Sequence, residues 1–104
     1  MEEFNEGSTG YVTVSFFDGA GASAVPASLS YRIDDVPSGT EIRGDTSLAP
    51  AESVEITLTP TDNQILDDTR IGEVRAITVT ATYGATDAVN SAYQYRVLNL
   101  RFLP

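Results

Sequence analysis

The sequence predicts an all-β domain, six or seven short strands folded as a sandwich or small barrel, and three observations carry that expectation. The segment Glu73–Tyr83 reads Glu-Val-Arg-Ala-Ile-Thr-Val-Thr-Ala-Thr-Tyr, with Ile77, Val79, Ala81 and Tyr83 at every second position. That is the period of a strand lying on a core. Four other segments repeat the alternation, divided by Gly, Pro, Asp and Ser at intervals of about ten residues. No stretch carries the apolar spacing of an amphipathic helix, so crossover helices are lacking and neighbouring strands are expected to run antiparallel.

In chain order, Met1–Thr9 reads as an acidic arm rather than a strand, and residues 10–104 as the sandwich domain. Tyr11–Phe17 is the first strand, with Val12, Val14 and Phe16 on one face. Asp18–Ser23 is a turn in which two glycines permit positive φ, and Ala24–Pro26 a short edge piece, since Pro cannot donate within a ladder. Ala27–Asp34 is a clear strand, Leu29, Tyr31 and Ile33 inward, Ser28, Ser30 and Arg32 outward. Asp35–Gly39 is a turn and Thr40–Arg43 a short strand carried by Ile42. After the loop Gly44–Pro50, Ser53–Thr59 turns Val54, Ile56 and Leu58 inward. Pro60–Gly72 is the longest connection, with Ile65 and Leu66 expected to tuck under one end of the sandwich. Val74–Tyr83 is the long strand, followed by the loop Gly84–Ser91 and a last strand, Ala92–Phe102. The apolar residues of that last strand change phase. Tyr93, Tyr95 and Val97 share one face, whereas Leu98, Leu100 and Phe102 share the other. Either a β-bulge near Val97–Asn99 re-phases the strand, or the strand is two-sided and its second face meets a neighbour.

One hundred and four residues suit one core. There is no Cys, hence no disulfide and no thiolate zinc site. Six Arg, with no Lys and no His, face fifteen carboxylates, a net charge of −9. That sign argues against nucleic acid or an anionic membrane as partner. No apolar run approaches the ~20 residues of a membrane span. The acidic start Met1-Glu2-Glu3 does not read as a signal peptide, so synthesis in a cytoplasm without Sec export is expected.

Enzyme chemistry is not expected. Without His, Cys or Lys, the usual bases, thiol nucleophiles and Schiff-base amines are missing, and no Ser sits in a Gly-x-Ser-x-Gly elbow. The doublets Asp34-Asp35 and Asp67-Asp68 read as turn caps or solvated edges, because adjacent side chains on a strand point to opposite faces. The loop Asp62–Asp68 offers oxygen ligands of the kind Ca²⁺ takes but lacks EF-hand spacing. The competing reading is an Asx-turn at Asp62 and Asn63 with the remaining acids solvated. No metal or cofactor is assigned. Tyr11 and Phe17, on the outward side of the first strand, are the candidates for a sugar-binding platform.

Apolar residues at the two chain ends favour protein–protein contact. Phe4 lies in the arm, and Leu98, Leu100, Phe102 and Leu103 lie near the C-terminus, where a partner is expected to cover them. Arg96 and Arg101 are placed to pair with that partner's carboxylates. Deleting residues 1–9 is accordingly expected to leave the fold stable and to weaken assembly.

The stretch Val25–Ile42, continued by Val54–Asn63 and Ile77–Tyr83, resembles immunoglobulin-like or fibronectin-III-like domains that serve as small structural proteins of tailed bacteriophages. The resemblance covers roughly residues 10–102 and rests on strand rhythm and on the Tyr31-Arg-Ile-Asp34 turn region. It implies an antiparallel immunoglobulin-like β-sandwich of about seven strands. It further implies a non-enzymatic virion component, in capsid decoration, neck or tail, that contacts other virion proteins and copies of itself. No catalytic residue comes with it. The chain departs from antibody domains in lacking the Cys pair and the core Trp. The alternative expectation is an adhesion or carbohydrate-binding module, assisted by calcium, built from Tyr11, Phe17 and the Asp62–Asp68 loop.

Overall fold

The computed structural model describes residues 2–17, 21–22, 24–83 and 87–102. Seven strands run through them: β1 (Glu2–Asn5), β2 (Gly10–Ser15), β3 (Ser28–Asp35), β4 (Glu41–Ser47), β5 (Ser53–Leu58), β6 (Gly72–Tyr83) and β7 (Asp87–Leu98). A single 3₁₀ turn, Leu100–Phe102, follows. The strands form a five-stranded sheet, ordered β1-β7-β6-β3-β4, and a two-stranded sheet, β2-β5. The fold is thus the expected all-β sandwich. With β2 to β7 in chain order, β7-β6-β3-β4 opposite β2-β5 follows the immunoglobulin pattern of a G-F-C-C′ sheet facing strands B and E.

The core lies between the sheets. Leu29, Tyr31 and Ile33 of β3, Ile77, Val79 and Ala81 of β6, and Tyr95 and Val97 of β7 meet Val14, Ile56 and Leu58 from β2 and β5. Phe16, just past β2, joins them. Each alternation read from the sequence supplies one row of this core. The turn after β3 closes where Gly39, at φ 72°, donates its amide to the Asp35 carbonyl at 2.8 Å, a left-handed conformation in which Gly carries no steric cost. Most of the Asp18–Ser23 turn and residues 84–86 lie outside the described residues, and the rest of the expected Gly84–Ser91 loop is strand instead, since β7 begins at Asp87 and pairs there with Tyr83.

Three expectations are corrected. First, the segment before the sandwich is not a free arm: Glu2–Asn5 forms β1 at the edge of the larger sheet, Glu2 opposite Tyr95 and Asn5 opposite Leu98. Second, that pairing is parallel. The demand for a crossover helix applies to strands joined directly. Here almost the whole domain connects β1 to β7, so either direction is open. Third, the phase change in the last strand is neither a bulge nor a two-sided strand. The β6–β7 register runs unbroken from Tyr83↔Asp87 to Gly72↔Leu98, then the chain leaves the sheet at Asn99 and coils into the 3₁₀ turn.

Phe4 explains why β1 docks. Its ring meets Tyr95 edge-on with centroids 5.8 Å apart, and it packs against the buried core. Gly10 is shaped for it, since a Cβ there would stand 2.7 Å from Phe4 Cε1. The expectation that Phe4 is a free apolar anchor for a partner is therefore corrected: its own domain uses it.

Candidate functional site

The inward row of β6 begins with two charges, Glu73 and Arg75, before Ile77, and both are fully buried. Arg75 Nε donates to Asp35 at 3.1 Å and Nη2 to Glu73 at 2.6 Å. Its Nη1 and Nη2 also donate to the main-chain oxygens of Asp62 and Gln64, at 2.8 and 2.7 Å. Arg70 Nη1 reaches Glu73 at 3.1 Å and Asp35 at 3.4 Å. Two carboxylates thus face two guanidinium groups. Charge is neutralised locally, as a buried ionic group requires.

This network fixes the long connection between β5 and β6, residues 59–71, which has no ladder of its own. Glu73 accepts the amides of Leu66 and Asp67 at 2.8 and 3.1 Å. Arg43 clamps the buried Asp62 through Nη2 at 2.7 Å and Nε at 3.1 Å, while the Asp62 carboxylate also accepts the Thr59 amide at 2.8 Å. Asn63 Nδ2 donates to the Ser8 carbonyl at 2.7 Å and ties the connection to the N-terminal segment. Asn99, buried at the end of β7, donates to the Asp68 and Arg70 carbonyls at 3.2 and 3.0 Å. Sequence reasoning placed Arg75 on the long strand and Glu73 just before it, but did not foresee this role; the strand in fact begins at Gly72. The available signal was their parity: they share the odd-numbered face with Ile77, Val79 and Ala81.

The Asp35 carboxyl titrates below the ordinary Asp value of 3.8. Burial pushes it up, but the Ser38 hydroxyl and amide, then Arg75, donate to the ionised form and outweigh burial. A carboxyl lowered in the folded state contributes stability above its unfolded pKa and loses it as pH falls through the folded value. Stability toward urea is therefore expected to be flat from neutral pH down to about 4 and to drop below that. Asp35→Asn should flatten the acid limb while lowering the neutral plateau. Urea titrations at pH 7 and pH 3 measure both.

The connection so fixed carries apolar groups to one end of the molecule. Ile71 is 69% exposed and Leu66 is 49% exposed, so of the pair expected to tuck inward only Ile65 packs against the core. The Ile71 carbonyl accepts the Asn99 amide at 2.9 Å, which sets Ile71 beside the 3₁₀ turn. On that turn Leu100 and Phe102 are 46% and 43% exposed. Leu98 is half-buried in the ladder between Asn5 and Gly72. Arg101 bonds Asp68 at 2.6 Å and lies 5.8 Å over the Phe102 ring, and Arg96 bonds Glu3 at 3.2 Å. The expectation that these two arginines await carboxylates of a partner is corrected to that extent: each already has one within its own chain. Leu103 lies outside the described residues.

The Asp62–Asp68 loop does not converge on a cation. Asp62 faces Arg43, the Asp67 carboxylate accepts the amide of Thr69 at 3.0 Å, and Asp68 faces Arg101. Among the described residues no three acidic side chains gather to hold a metal. An Asx-turn does occur, at Asp67 rather than at Asp62. Tyr11 and Phe17 are both exposed, as expected for the outward side of β2 and its continuation. Six residues apart on an extended chain, they stand about 20 Å from each other. Compared with protein-family models, with curated proteins and with solved structures, the chain matches none.

Proposed function

We propose that this chain is a non-enzymatic structural subunit of a tailed-phage virion, acting through contact with other virion proteins. The reading joins the strand-rhythm resemblance to one observation: Leu100, Phe102 and Ile71 are exposed on segments joined by the Asn99–Ile71 main-chain bond, at the end of an otherwise acidic domain. They are held there by the buried Arg75 network and by Asn99. Three exposed large apolar side chains on tied segments suit a contact anchor, in which a few such residues carry most of the binding energy. Arg101 and Asp68 beside them form the polar rim such a contact needs.

Phe102→Asp and Leu100→Asp are the direct test. Both side chains are already substantially solvated, so the urea midpoint of the isolated domain is expected to move little, by about 0.5 kcal/mol or less. Incorporation into particles should fall at least about tenfold, the effect of losing ~1.4 kcal/mol at a contact anchor. Normal incorporation of both variants rejects this surface as the contact. Reproducible, chelator-sensitive signals on a glycan array would instead favour the adhesion module built on Tyr11 and Phe17.

A further inference from the structure

β1 covers only four of the twelve residues of β7, from Tyr95 to Leu98. Among the described residues nothing pairs with the same edge from Asp87 to Gln94. The inward side chains of β7 show what that cover does. Beside β1, Tyr95 and Val97 are 1% and 0% exposed; beyond it, Tyr93 and Val89 are 38% and 52% exposed. The uncovered half borders a groove of 310 Å³ between β2 and β7, lined by Val14, Phe16, Phe17, Val79, Val89 and Tyr93. The edge also lacks the usual protection. It reads Asp-Ala-Val-Asn-Ser-Ala-Tyr-Gln, with no Pro, no Lys, no bulge and one charge at its far end.

We propose that this edge accepts a strand from a neighbouring polypeptide, lying in line with β1 and parallel to β7. Its main chain would pair with Asp87–Gln94, and every second side chain would enter the groove as Phe4 does beside Tyr95. The incoming segment is apolar at alternate positions and carries no acid, because Glu2 and Glu3 bound the edge at one end and Asp87 at the other. A second copy fits less well. Antiparallel pairing of two β7 edges over Asp87–Gln94 sets each Asp87 opposite the other Gln94, next to the position where Glu2 pairs with Tyr95, so like charges meet. The inference rests on the contact role proposed above but uses a different surface, toward the other end of the β6–β7 ladder.

The test is an eight-residue extension fused ahead of residue 1, with Val or Phe at alternate positions and Thr between, compared with a Gly-Ser extension of equal length and with the unextended chain. The same Val/Phe/Thr segment is also supplied as a free peptide. Hydrogen exchange of the outward-pointing amides in Asp87–Gln94 should slow by about tenfold or more with the patterned extension, and saturably with the peptide. Neither the Gly-Ser extension nor the unextended chain should show it. Val89→Arg, at an exposed position, should abolish the effect without unfolding the domain. No slowing with the patterned extension overturns the proposal. So does equal protection in the unextended chain, whether light scattering finds a monomer that covers its own edge or a dimer that covers it with a second copy. Leu100 and Phe102 take no part in this assay, so failure here leaves the particle-incorporation result standing, and the reverse holds.

Discussion

Arg75→Met should cost about 3–5 kcal/mol, the loss seen when one partner is removed from a buried ion pair. Met restores much of the volume but none of the four bonds. Of their cationic partners, Asp35 and Glu73 would keep Arg70, which is part-exposed and bonds each with a single nitrogen, at 3.4 and 3.1 Å. The Asp62 and Gln64 carbonyls lose their donor as well, so residues 59–71 should loosen together with the local fold. In urea, with ~1–3 kcal/mol per molar as the usual slope, the midpoint should fall by about 2 M, a large part of the ~5–15 kcal/mol a domain of this size holds. Arg32→Met is the control. Its pair with Asp34 at 2.9 Å lies at the surface and should be worth under ~1 kcal/mol. Adding Asp35→Asn and Glu73→Gln to Arg75→Met should recover part of the loss, because the residual cost is uncompensated charge. Equal effects of Arg75→Met and Arg32→Met would contradict the structural role of the network.

Deleting residues 1–6 should also destabilise the domain, which reverses the expectation drawn from the sequence alone. The deletion removes the β1–β7 ladder and the Phe4 ring, and uncovers Tyr95 and Val97. Phe→Ala in a full core costs about 3–5 kcal/mol, and Phe4 is only partly buried, so about 2–3 kcal/mol is expected for Phe4→Ala and at least that for the deletion. For a domain of this length that lowers Tm by roughly 10–15 °C, readable by calorimetry. An unchanged Tm would mean that β1 does not hold to its own sheet. The loss of assembly once assigned to a free arm would then need measuring in Phe4→Leu, which keeps the fold and alters the ring.

The strands were legible because each buries a row of apolar side chains on one face: Leu29, Tyr31, Ile33 on β3 and Ile56, Leu58 on β5 announce themselves by period alone. β1 was not, since Glu-Glu-Phe-Asn has one apolar residue and its pairing depends on a partner more than ninety positions away. The ionic network was hidden for a related reason. Glu73 and Arg75 occupy core positions as polar residues, and only the arrival of Asp35 and the 59–71 connection makes their burial affordable. Of the candidate surface, Leu100 and Phe102 stand out as a sequence would suggest, whereas Ile71 is tied to their segment by the Asn99 main-chain bond, which no local pattern encodes. The end of the last strand was misread because Leu98, Leu100 and Phe102 do keep the strand period, although the last two sit on a 3₁₀ turn.

Hydroxyl-radical footprinting of the isolated chain and of the chain within the source particle addresses the contact role most directly. Leu100, Phe102 and Ile71 should be labelled in the free domain and protected in the particle, with buried Ile33 unlabelled in both. Equal labelling of Leu100 and Phe102 in the two states, or absence of the chain from purified particles, would contradict that role.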